Sequence, residues 1–279
     1  MKRTIGIIGF GKMGSAIAEQ IKSEYSVVVF DKEKIKTEKV SGLKVAESLQ
    51  DSANNTETII LAVKPQDFDA VLNEIKTYQK IADKLIISIA AGVTTTHIEK
   101  LLGNARVVRV MPNLPARIKQ GMTCLCKGRF ADEEDLRLAE ELFGKVGKTL
   151  IIIEDLMDAA TAVAGSGPGF FCDLVEGKSL EQIKDFSKQY FIPSLIATAT
   201  NLAFTPAQAK ILAETTGGGT VQYLIKEKIT PAEVKKQVAS KGGTTEAGLK
   251  ELHHDIKNLE KAVKAALKKS RAIIQRGVN

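Results

Sequence analysis

Over the first half of the chain, short apolar runs rich in β-branched residues alternate with amphipathic stretches. The runs cover residues 5–8, 27–30, 58–63, 85–89, 106–110 and 149–153. Several are apolar without alternation, as strands covered on both faces read. Between them, residues 13–22, 66–78, 95–102 and 133–143 place apolar side chains at three- and four-residue steps over helical lengths. Strand, helix, strand, repeated, predicts a parallel sheet covered by helices. Cys124 and Cys126 lie on a further predicted strand.

After Asp155 the strand pattern stops. Helical stretches follow at 158–164, 168–176, 180–190, 193–204, 206–215, 220–226, 231–239, 246–253 and 255–275. Thr205-Pro206 and Thr230-Pro231 each pair a capping threonine with proline at the first helical position. An all-helical second half is expected, with the domains dividing as 1–156 and 157–279.

Two domains also suit 279 residues. With 44% hydrophobic and 26% charged residues, a sizeable core can form and a disordered chain is excluded. No apolar run has the length of a membrane span, and the 5–10 stretch has no cleavage signal, so a soluble, unprocessed, cytoplasmic protein is expected. The net charge of +7 reads as a solvated basic face and not a nucleic-acid surface, because aromatics make up only 5%. Three cysteines cannot all pair, and Cys-x-Cys is neither zinc-type nor thioredoxin-type spacing, so reduced thiols are expected. His253 and His254 are adjacent and His97 is remote; no metal site is expected, and no hydrolase motif is present.

Chemistry concentrates at four places. Gly9-Phe10-Gly11-Lys12-Met13-Gly14 follows the first strand and opens the first helix, and Asp31 ends the second strand. That context is the dinucleotide fingerprint of a Rossmann-type fold: glycines for a tight turn, for approach to a pyrophosphate and for helix packing. An aspartate in that place accepts ribose hydroxyls and repels a 2′-phosphate, favouring NADH over NADPH, although Lys32 or Lys34 could reach such a phosphate. Ala62, Val63, Lys64 and Pro65 end the next long strand, and residues 88–93 end the one after, where ligands of open sheets bind. Asn113, between Pro112 and Pro115, can orient a carboxamide or serve a rigid connector. In the helical half lie Gly165-Ser166-Gly167-Pro168 and then Ser240-Lys241-Gly242-Gly243-Thr244-Thr245, a glycine turn feeding a helix start that suits a small carboxylate.

Together and in this order, these motifs resemble the pyrroline-5-carboxylate reductase family over nearly the whole chain. The resemblance implies NAD(P)H-dependent reduction of 1-pyrroline-5-carboxylate to L-proline. It implies a Rossmann-type domain followed by a helical domain that forms a homodimer or a multiple of dimers, with substrate between one subunit's cofactor domain and the partner's helices. Gly9, Phe10, Gly11, Lys12, Met13, Gly14, Asp31, Ala62, Val63, Lys64, Pro65 and Asn113 would then hold the cofactor. Ser240, Gly242, Gly243, Thr244 and Thr245 would hold the substrate, the Thr245 hydroxyl near its ring nitrogen as the catalytic group. Three departures stand out: Lys241 replaces a usual proline, residues 173–191 are extra, and Asp31 stands where small or basic residues are common. They keep open a reductase of another cyclic imine or amino-acid-derived carbonyl, or a non-catalytic dinucleotide-binding regulator.

Overall fold

A computed structural model describes residues 2–38, 40–78 and 81–274. The chain falls into two compact units, Met1–Val110 with Leu125–Val146, and Met111–Cys124 with Gly147–Asn279.

The strands are β1 (Thr4–Ile8), β2 (Ser26–Phe30), β3 (Lys44–Val45), β4 (Thr58–Leu61), β5 (Leu85–Ser88), β6 (Arg106–Pro112), β7 (Gly121–Lys127) and β8 (Gly147–Ile151). Their order in the sheet is β3-β2-β1-β4-β5-β6-β7-β8. From β3 to β6 every pairing is parallel, with Ile5 of β1 opposite Val27 of β2 and Thr58 of β4. The order reverses at β1, so the glycine motif leaves the sheet at its topological switch point, where open sheets bind ligands. Ile5, Ile7 and Ile8 of β1 are buried, as the unbroken apolar run requires.

The first unit's helices are α1 (Lys12–Ile21), α2 (Leu49–Asn54), α3 (Pro65–Ile75), α4 (Thr95–Leu102) and α5 (Glu133–Gly144). Phe68, Leu72 and Ile75 of α3 and Ile98 and Leu102 of α4 pack with Ile59, Leu61, Ile86 and Val107 of the sheet. Each such side chain taken from water contributes about 1.5–3 kcal/mol.

The second unit adds α6 (Met157–Ala160), α7 (Gly167–Leu174), α8 (Leu180–Phe186), α9 (Ile192–Asn201), α10 (Pro206–Glu227), α11 (Pro231–Val238), α12 (Thr244–Leu252) and α13 (Leu259–Ile274). The expected α13 terminus at Gln275 lies outside the described residues. π-helical turns at Thr161–Gly165 and Ser187–Phe191 join α6 to α7 and α8 to α9. Thr205 and Thr230 cap α10 and α11 as their sequences predict, in reciprocal capping boxes with Gln208 and Glu233. Residues 173–191 form the end of α7, α8 and the second π turn. Phe191 at their end meets Phe171 edge to face, ring centroids 5.0 Å apart.

One expectation fails here. Residues 206–215 and 220–226 form a single helix, α10, which runs through Gly217-Gly218-Gly219. Gly217 and Gly219 serve close packing and not a break, while Gly218 between them meets nothing within 4 Å. A Cβ on Gly219 would lie 2.3 Å from the Gln120 carbonyl oxygen, and one on Gly217 would lie 2.7 Å from Ile192. The helix accepts the cost of Gly217 and Gly219, roughly 1 kcal/mol each, because side chains there would push the packed segments apart.

Among the described residues, no helix is long and apolar enough to cross a membrane. Cys124, Cys126 and Cys172 are buried, and burial pushes the Cys172 thiol up.

Candidate functional site

The first cradle is the turn between β1 and α1. Gly9 has φ +98°, a backbone that side chains rarely adopt, and a Cβ on it would sit 2.6 Å from the Ala62 carbonyl oxygen. A Cβ on Gly14 would lie 2.1 Å from the Gly9 carbonyl oxygen and 3.3 Å from the Ala62 side chain. A Cβ on Gly11 would meet nothing within 4 Å. Thus Gly9 and Gly14 close the turn onto β4, bringing Ala62 and Val63 against it, while Gly11 faces open space. Gly11 is also the N-cap of α1, which has neither a side-chain cap nor an acidic residue in its first turn. Backbone N–H groups and the positive helix end are left for an anion, so the turn fits a dinucleotide pyrophosphate. Lys12 is exposed and Met13 half-buried, both in the first turn of α1. Lys64 is the N-cap of α3, and Pro65 its first residue.

Asp31 is tied into the same turn. It is 9% exposed; its Oδ2 accepts the Phe10 N–H at 2.8 Å and its Oδ1 accepts the Glu33 N–H at 2.9 Å. The Lys36 ammonium lies 3.3 Å from Oδ1 and is also held by Glu33 at 2.7 Å. The Glu33 hydrogen bond, joined by the Asp31 charge and opposed by burial, raises the Lys36 pKa. Sequence reading singled out Lys32 and Lys34. Lys32 instead pairs with Asp67 at 2.9 Å, and the cation beside Asp31 is Lys36. A short 3-10 turn, Lys34–Lys36, brings it there.

In the second unit, Asn113 is 3% exposed. Its side-chain amide donates to the Ala164 carbonyl at 3.2 Å, and its oxygen accepts the Met122 N–H at 2.8 Å. The structure thus engages both its donor and its acceptor in bracing the chain.

The second cradle opens α12. Gly242 has φ +71°, and a Cβ on Gly243 would lie 2.4 Å from the Ser240 hydroxyl. Gly243 donates its N–H to the Ser240 carbonyl at 2.9 Å, and Gly242 donates its N–H to the Glu246 carboxylate at 2.6 Å. Glu246 therefore ties down the turn that carries Lys241. With the N–H groups of 242 and 243 taken, the helix start offers those of Thr244 and Thr245, with no side-chain cap. Thr245 is 4% exposed, and its hydroxyl donates to the Ser166 Oγ at 3.0 Å. Thr244 Oγ1 lies 3.2 Å from the same Ser166 Oγ. Sequence reading placed Ser166 in a motif but gave it no role; a pairing across 79 positions has no local signature.

A family model for pyrroline-5-carboxylate reductase dimerisation matches residues 189–273. Another, described as NADP oxidoreductase coenzyme F420-dependent, matches residues 4–92. The chain is similar to the pyrroline-5-carboxylate reductase of Aquifex aeolicus, 34% identical over 254 residues that cover 89% of this chain and 88% of that one. It is likewise similar to that of Schizosaccharomyces pombe, 34% identical over 81% of this chain and 76% of that one. Among solved structures, a pyrroline-5-carboxylate reductase from Coxiella burnetii is 28% identical with TM-score 0.63, covering 98% of this chain and 99% of that one. A pyrroline carboxylate reductase from Plasmodium falciparum with NADP bound is 28% identical with TM-score 0.61, covering 98% of each chain. With relatives above 30% identity matched along most of their length, this chain is a member of the pyrroline-5-carboxylate reductase family.

Proposed function

We propose that the protein reduces 1-pyrroline-5-carboxylate to L-proline, the last step of proline synthesis, with a reduced nicotinamide dinucleotide. The observation that carries this reading is the α12 start, where an uncapped helix end and a buried threonine hydroxyl adjoin. A small cyclic imine bearing a carboxylate matches both.

When bound, the nicotinamide supplies the hydride that the imine carbon accepts. The chain's own residues do the rest. The open face at Gly11 and the N-terminus of α1 receive the pyrophosphate, and Ala62, Val63, Lys64 and Pro65 border its course beyond the turn. Asp31, held by Phe10 and Glu33, keeps lone pairs for the ribose hydroxyls and disfavours a 2′-phosphate, so NADH serves at least as well as NADPH. Lys36 partly offsets that charge. The N–H groups of Thr244 and Thr245 bind the substrate carboxylate, and Thr245 Oγ1 meets the ring nitrogen, whose protonation makes the adjacent carbon electrophilic. Residues 1–156 carry the cofactor and 157–279 the substrate groups. The helices of the second half associate as a homodimer or a multiple of dimers, as the match to the dimerisation model supports.

The test is a steady-state assay of purified protein with 1-pyrroline-5-carboxylate and each reduced cofactor, following loss of reduced nicotinamide and appearance of L-proline. Stoichiometric turnover is expected, with kcat/KM for NADH equal to or above that for NADPH. No turnover with either cofactor overturns the activity, and a strong NADPH preference overturns the cofactor reading alone. Sedimentation of a fully active monomer at micromolar concentration would overturn the assembly.

A further inference from the structure

Ser166 is 0% exposed and sits where the π turn at Thr161–Gly165 passes into α7. Its backbone is held on both sides: its N–H donates to the Thr161 carbonyl at 2.9 Å, and its carbonyl accepts the Gly169 and Phe170 N–H groups at 2.9 and 3.1 Å. π turns inside helices recur at functional sites, where the extra residue re-aims a side chain. Here the aimed side chain reaches the start of α12. Thr245 is fixed from its other side as well: a Cβ on Gly169 would lie 2.6 Å from the Thr245 methyl, so that glycine lets the methyl pack on backbone. A β-branched side chain with both branches held has a single χ1.

The direction of the hydrogen bonds follows. A serine hydroxyl has one proton and two acceptor positions. Thr245 donates to Ser166. The Ser166 hydroxyl is fully buried, so its own proton goes to Thr244 Oγ1 at 3.2 Å, which leaves no buried donor stranded. The chain of hydroxyls thus runs Thr245 to Ser166 to Thr244. Thr245 Oγ1 spends its proton inward and turns only lone pairs outward.

We propose that Ser166 is the positioning residue that gives the Thr245 hydroxyl this polarity, so that the site takes its imine already protonated and holds the N–H⁺ as an acceptor. The inference rests on the reading that Thr245 faces the ring nitrogen, and it specifies what Thr245 does there. A lone pair cannot protonate a neutral imine, so the proton is acquired from solvent before binding. The imine carbon then accepts the hydride, the C=N electron pair passes to nitrogen, and the N–H bond present in the iminium is retained in the product amine.

The experiment is a double-mutant cycle of Ser166→Ala and Thr245→Ala, with kcat/KM measured across pH and NADH affinity measured by fluorescence titration. In the unsubstituted protein kcat/KM should fall tenfold per pH unit above the substrate imine's own pKa. Ser166→Ala should lower kcat/KM by about 10–100-fold at neutral pH, make that decline shallower because Thr245 can now donate, and leave NADH affinity unchanged. The double variant should be no worse than Thr245→Ala alone, within about 2-fold. Multiplying effects, or full turnover in Ser166→Ala beside a large loss in Thr245→Ala, would overturn the positioning role while leaving Thr245 in place. Full turnover in Thr245→Ala would remove the underlying reading and this one with it. If Ser166→Ala does not fold, Ser166→Cys, similar in size but a weak acceptor, carries the same test: an unchanged pH profile in it overturns the proposal.

Discussion

The chain opens two helices on glycine-rich turns, α1 at Gly11 and α12 at Gly243, and the two dispose of their backbone N–H groups differently. At α1 the turn is closed by backbone packing and faces open space at Gly11, and its one carboxylate, Asp31, arrives from β2 to hold the Phe10 N–H. At α12 the glycine N–H groups are occupied from within, by Glu246 and by the Ser240 carbonyl, and hydroxyls border the two N–H groups that follow. Two glycine-rich turns are therefore built for different chemistries. On the proposed reading the first would bind through backbone, as suits an extended polyanion, and the second through hydroxyls, as suits a small ring with one reactive nitrogen.

The largest effects should come from the first turn. Gly14→Ala forces a Cβ to within 2.1 Å of the Gly9 carbonyl oxygen, so the turn must open. Overpacking of this kind costs about 1–3 kcal/mol, and dinucleotide affinity should fall by about 100-fold or more. Gly11→Ala meets no atom within 4 Å and should leave Tm unchanged while weakening dinucleotide binding by about 10-fold or more. Normal binding by Gly11→Ala would break the contrast between the turns. Next in size is cofactor choice. Asp31→Ser should raise the NADPH-to-NADH ratio of kcat/KM by about 10–100-fold, and Lys36→Met should lower it by less than about 10-fold. An unchanged ratio in Asp31→Ser removes Asp31 from the ribose site.

These residues also mark where sequence reading stops. The unbroken apolar runs of β1, β4 and β5 were legible because burial on both faces leaves no other composition. So were the glycine motif with Asp31, and the capped starts of α10 and α11, because those signals are local. β3 was missed: it is two exposed residues, Lys44 and Val45, with no apolar face to read. The glycines of α10 read as a break because their cause, the Gln120 carbonyl and Ile192, lies elsewhere in the chain. Lys36, Glu246 and Ser166 take their roles from where the fold places them, beside Asp31, Gly242 and Thr245.

Smaller effects sharpen the comparison further. Glu246→Ala removes the acceptor of the Gly242 N–H and should cost about 1 kcal/mol of stability, whereas Glu246→Gln, which keeps an acceptor oxygen, should lose less. Equal Tm values for the two variants would mean that the turn does not depend on this bond.

The two units should also respond to opposite ends of the pH scale. Burial, then the hydrogen bond and charge of Glu141, push the Tyr25 phenol from 10.0 to about 12. A phenol raised on folding adds stability below pH 10 that is lost as the pH climbs toward 12, about 1–2 kcal/mol here. In the second unit, the Lys235 hydrogen bond and charge hold the Glu176 carboxyl below its ordinary 4.5. That contribution is present above pH 4.5 and fades as the pH falls below it, about 1 kcal/mol or less because the carboxylate is exposed. Urea unfolding against pH should lose part of its alkaline decline in Tyr25→Phe and part of its acid decline in Glu176→Gln. Parallel curves for a variant and the unsubstituted protein would discard that residue's contribution.

Thr245→Ala tests most directly whether the α12 turn acts on the substrate through a hydroxyl, when kcat/KM, NADH affinity and Tm are read on one preparation. A group that orients the reacting nitrogen is worth about 10–10³-fold, so kcat/KM should fall by that factor with NADH affinity unchanged. A threonine serving only the helix start would cost about 1 kcal/mol on truncation and appear in Tm alone. Undiminished turnover in a folded Thr245→Ala protein would contradict the account.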